Sequence, residues 1–77
     1  MNRKIYHYAA ILLMGTKLEK KYFIINSCVL VKNESKIISL FVEANQFNED
    51  DADNCIGAVR LTEAQYLMYV YIHRKQL

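Results

Sequence analysis

Apolar residues along the chain come in runs separated by short polar breaks, and the first two runs alternate as strands do. In residues 4–14, Ile5, His7, Ala9, Ile11 and Leu13 fall on one alternation face, and Tyr6, Tyr8, Ala10, Leu12 and Met14 on the other. Both faces are largely apolar, which is the pattern of a strand covered on both sides. The polar stretch 15–21 opens with a glycine and suits a hairpin loop. In the second run, 21–32, Phe23, Ile25, Val29 and Val31 share one face and Tyr22, Ile24, Cys28 and Leu30 the other.

Asn33, Glu34 and Ser35 mark another turn, and the third run, 36–45, is ambiguous in period. Ile38, Leu40, Val42 and Ala44 alternate as in a strand, whereas Ile37, Leu40, Phe41 and Ala44 match a helical stripe. The short connection favours a hairpin partner for the second strand, so a strand is expected, with a helix from near Ser35 as its rival. The acidic cluster Glu49, Asp50, Asp51 and Asp53 reads as a solvated loop or as the first turn of a short helix capped by Asn48. The stretch 56–61 follows. Thr62 and Gln65 then form a capping box, and His73, Arg74 and Lys75 supply the positive charge that a helix C-terminus favours. A helix over 62–75 is expected, although the aromatic and β-branched content of 66–72 also suits a strand. The expected fold is therefore one α+β domain over 1–77. It has a small antiparallel sheet of three or more strands (4–14, 21–32, 36–45) packed with one C-terminal helix.

Composition supports a folded core. The hydrophobic fraction, 53%, is above the roughly 45–50% of ordinary soluble domains, and proline is absent. A chain of 77 residues still buries only about 60–65% of its unfolded surface, so stability must be won narrowly. The net charge of +2 is too balanced to mark a nucleic-acid binder. Arg3 and Lys4 before an apolar run superficially suggest a secretory signal. His7 interrupts that run, however, and lysines stand where a cleavage site belongs, so it reads as a strand and the protein as cytoplasmic. No run is long enough to imply a membrane span. Asn33-Glu34-Ser35 matches a glycosylation acceptor but lacks the secreted context. Cys28 and Cys55 read as free thiols in a reducing compartment.

Catalytic signatures are missing from the sequence. His7 and His73 lie at opposite ends of the chain, and neither has the ligand spacing of a zinc site. Cys28 with His7 could form a nucleophile–base pair only by tertiary accident. The acidic run lacks the glycine and the distal glutamate of a calcium loop. Two glycines, Gly15 and Gly57, are too far apart for a phosphate-cradling loop. The expectation is a non-enzyme with no metal or cofactor.

The strongest clue is surplus apolar surface. One helix covers one face of a sheet, yet both hairpin strands are apolar on both faces. Six tyrosines add interface-type side chains. The expected occupant of the second face is another protein or a second copy of the chain. Tyr6, Tyr8, Leu12, Tyr22 and Leu30 are candidates for that face, with Glu49, Asp50 and Asp51 as an acidic contact; core and interface faces could be exchanged. The alternative is a nucleic-acid binder using its lysines and stacked tyrosines. In organisation, with its small size, its bias to Ile, Lys, Asn and Tyr, and its opening hairpin KIYHYAAILLM…KKYFIINSCVLVK, the chain resembles the small host-defence inhibitors of phages and mobile elements, such as anti-CRISPR proteins. That resemblance implies a phage protein that blocks a host complex by occupying its surface; it assigns no residues.

Overall fold

The structure, a computed structural model, describes residues 4–75, with side chains through residue 72. Six elements follow in order: β1 (Tyr6–Met14), β2 (Glu19–Ser27), α1 (Glu34–Glu43), α2 (Glu49–Ala52), β3 (Cys55–Leu61) and α3 (Glu63–Lys75). The three strands form one antiparallel sheet in the order β2-β1-β3. This is the expected α+β class, with the expected C-terminal helix.

β1 and β2 pair along their whole length, from Tyr6 opposite Ser27 to Met14 opposite Glu19. The turn between them uses Gly15 at φ 78° and, less comfortably, Leu18 at φ 52°. β2 ends at Ser27, five residues short of the expected strand. Residues 28–32 instead cross from β2 towards α1, held by the buried Tyr8 hydroxyl. That hydroxyl donates to the Val29 carbonyl at 2.7 Å and accepts from the Val31 amide at 3.0 Å.

The expected strand at 36–45 is a helix, and its ends explain why. Asn33 takes extended geometry and its side chain accepts from the Ser35 amide, capping α1, with Glu34 placed well for the helix dipole. At the far end Asn45 enters the left-handed region at φ 58°. Its amide then donates to Val42 O and the Gln46 amide to Phe41 O, the paired bonds of a Schellman stop. Between these stops Ile37 and Phe41, one turn apart, are buried. The third strand is 55–61 instead. It pairs with the free side of β1, from His7 opposite Leu61 to Leu12 opposite Cys55, with a bulge at Ile56.

The core lies on one side of the sheet. Tyr8, Ala10 and Leu12 of β1, Ala58 of β3, Ile37 and Phe41 of α1, and Phe47 form one buried cluster. Phe47 stacks on Phe41 at 5.5 Å and meets Phe23 of β2 edge-on at 5.3 Å. The sheet is thus covered mainly by α1. The C-terminal helix α3 packs on the sheet as expected, through Tyr66 on His7, while the core face itself is covered by the additional helix α1.

Candidate interaction surface

Register decides which residues share the other side of the sheet. Opposed residues of antiparallel strands point the same way. His7, Ala9, Ile11 and Leu13 therefore face away from the core, beside Asn26, Ile24, Tyr22 and Lys20 of β2 and Leu61, Val59 and Gly57 of β3. On this face Ala9 and Leu61 are buried and Ile11, Leu13 and Ile24 half-buried, while two apolar side chains stay open. Tyr22 is 47% exposed and Val59 54%. A methyl group built onto Gly57 would meet nothing within 4 Å.

One end of the outer face is covered by the start of α3. The Thr62 amide donates to Gln65 Oε1 at 2.9 Å and the Gln65 amide to Thr62 Oγ1 at 3.1 Å, so the capping box forms as its sequence implies. One turn later Tyr66 stacks on His7, with ring centres 3.9 Å apart and planes 6° from parallel. His7 Nδ1–H donates to Asn26 Oδ1 at 2.7 Å, and Asn26 Nδ2 donates to the Tyr66 hydroxyl at 3.2 Å. This three-residue junction fixes the entry of α3 onto the sheet. Beyond it the helix keeps apolar residues in view: Leu67 is 58% exposed and Met68 63%, with Tyr71 and Ile72 exposed as well. Residues 66–72 are apolar all round, a composition that normally belongs to a helix surrounded by protein.

The sequence-derived candidates scatter over both faces. Tyr8 and Leu12 are fully buried in the core and cannot meet a partner; as one alternation face of β1 they pack under α1. Tyr6 is half-buried at the edge of that same core face. Arg60 stands over its ring at 4.8 Å, and Lys4 lies 5.6 Å from the ring centre. Tyr22 lies exposed on the outer face. Leu30 is exposed in the crossing segment, away from Tyr22. Glu49, Asp50 and Asp51 form α2, where the Asn48 side chain accepts from the Asp51 amide. Glu49 and Asp51 line an open depression of about 430 Å³ with Val42, Asn45, Phe47 and Asn48. Of the residues expected on a second, partner-binding face, Tyr22 is exposed on the outer sheet face, while Tyr8 and Leu12 belong to the core. Val59, Gly57, Leu67 and Met68 were missed. The 56–61 stretch had no assignment, and the helix reading of 62–75 did not ask which side of it lacked cover.

The groups considered for chemistry are apart or engaged. His7 is held by Asn26 and Tyr66, the side chain of His73 lies outside the described residues, and Cys28 and Cys55 are both free thiols, Cys28 exposed. Among the described residues no three His, Cys, Asp or Glu side chains gather as a metal site requires. No described helix is long and apolar enough to cross a membrane. Among the described residues, Lys20 and Lys21 point to opposite sides of β2, and Lys4 and Arg60 sit at the other end of the sheet on Tyr6. The fold and surface together define a small antiparallel α+β domain with exposed apolar side chains on the outer sheet face, Tyr22 and Val59, and on α3, Leu67, Met68 and Ile72. Compared with known protein families, curated proteins and solved structures, the chain matches none.

Proposed function

We propose that this chain is a non-catalytic protein-binding domain that works in the cytoplasm by occupying the surface of another protein chain, a host protein or a second copy of itself. The observation that carries the reading is the open apolar surface shared by the outer sheet face and α3. Large contiguous apolar patches are rare on monomers and mark interaction sites. Tyr22 supplies the aromatic body and polar tip common at binding hot spots. A host-defence inhibitor of the kind the sequence resembles in organisation acts in this way, with no chemistry of its own.

The test is affinity capture from host-cell lysate with and without nuclease, comparing the native chain with Val59→Asp. A discrete protein should be retained after nuclease and in moderate salt, and lost with the variant. Capture that vanishes with nuclease or falls steeply with salt is the signature of phosphate contacts, and would move the chain to the nucleic-acid class.

A further inference from the structure

We infer that the open surface is filled by a second copy of the chain, the exposed side of α3 in each copy lying on the outer sheet face of the other. The inference rests on the reading of this surface as an interaction site and names its occupant. Three observations select a second copy. The first is area. A compact monomer of 9.0 kDa exposes about 4,900 Å² by the usual scaling of surface with mass, whereas this chain exposes 6038 Å². The surplus of about 1,100 Å² exceeds the roughly 800 Å² per partner of a standard interface and fits a homodimer.

The second observation is shape. The radius of gyration is 12.8 Å, against about 11.5 Å for a compact domain of this length, and the long dimension reaches 46 Å. The third is self-complementarity. The chain carries both halves of a helix-on-sheet contact: a helix whose middle, residues 66–72, is apolar all round with Leu67, Met68 and Ile72 exposed, and a sheet face on which Tyr22 and Val59 are exposed beside the open space at Gly57. α3 touches its own sheet through Tyr66 and keeps Tyr69 and Val70 half-buried, so Leu67, Met68 and Ile72 remain for another surface. A two-fold axis satisfies both halves at once, since each copy gives a helix and receives one. The net charge of +2 per chain opposes such pairing only weakly.

Sedimentation of the full chain across concentration reads the state directly, and charge-swapped variants read the geometry. Val59→Asp, on the sheet face, and Leu67→Lys, on the helix, should each weaken dimerisation by at least about 30-fold, the size of a hot-spot loss. Mixed in equal amounts they should recover a dimer, because one contact is then native and the other pairs lysine with aspartate. Gly57→Arg should also give monomers, with an unchanged fold by circular dichroism, since the added side chain enters open space. Leu30→Lys, exposed but off this surface, should dimerise normally. A native chain that stays monomeric at high concentration overturns the inference, as does a mixture that stays monomeric when each variant is folded. A monomer that still captures a protein through Val59 would refute the dimer and leave the binding function standing. A dimer that captures nothing would uphold the dimer and refute the host partner.

Discussion

Replacing Tyr8 with phenylalanine removes one oxygen atom and, with it, the fastening of the 28–32 crossing segment. The ring is fully buried, so phenylalanine fills the same space and opens no cavity. What is lost is the pair of hydrogen bonds to Val29 O and from Val31 N. Each is worth about 1 kcal/mol net, and two together give about 2 kcal/mol. Full desolvation penalties do not apply, because Val29 is exposed and Val31 half-buried, so water can reach the freed backbone groups. For a domain of this length 2 kcal/mol lowers the midpoint of thermal unfolding by about 8–16 °C. Urea titration at one fixed protein concentration should show a lower midpoint with unchanged slope. Hydrogen exchange at the Val31 amide should accelerate beyond the global change. Tyr8→Ala sets the scale: it deletes the ring as well and should cost about 3–5 kcal/mol. An unchanged urea midpoint for Tyr8→Phe, with Val31 protection intact, would show that the hydroxyl does not hold the segment.

Two further perturbations probe the ends of elements. Thr62→Ala removes half of the capping box and should destabilise by about 1 kcal/mol, seen as a loss of helical circular dichroism and early exchange in the first turn of α3. Leu18→Gly relieves a leucine held at φ 52° and should stabilise the hairpin by about 0.5–1 kcal/mol, read as a higher urea midpoint. A drop in stability would mean that the exposed Leu18 side chain contributes packing that its exposure does not suggest.

The hairpin was legible because its signals agree: two alternating runs, a polar break and a glycine where φ must be positive. The capping box was legible because Thr62 and Gln65 need only local chain to find each other. The third run was misread because its two periods fit equally well, and the deciding features are single residues at its ends. Asn33 and Asn45 carry those signals, but an asparagine near Ser35 also fits a turn, and only the helix ends show which use wins. With 36–45 removed from the sheet, the place beside β1 passed to 55–61, whose Gly57 and bulged Ile56 break the alternation by which a strand is recognised. The overlong end expected for β2 has a similar origin. Val29 and Val31 continue the alternation past Ser27, yet the Tyr8 hydroxyl claims their backbone.

Which face of β1 would be core could not be decided from β1 itself, since both faces are apolar. The deciding partner is α1. It arrives from the β2 end by way of 28–32, and that segment must pass where a buried tyrosine hydroxyl can hold it. Tyr8 supplies that hydroxyl, which draws the even-numbered residues inward and leaves His7, Ala9, Ile11 and Leu13 outward. After α1, α2 and Phe47 are committed to the inner face, α3 is the described element left to shield the outer one. A helix whose middle turns are apolar all round cannot hide that whole circumference on a single sheet: wherever it lies, its far side stays in water. Folding α3 down over its own strands would therefore bury Val59 and leave Leu67 or Met68 exposed. Exchange between two copies removes that conflict, because each helix then meets its own sheet on one side and a neighbour's on the other.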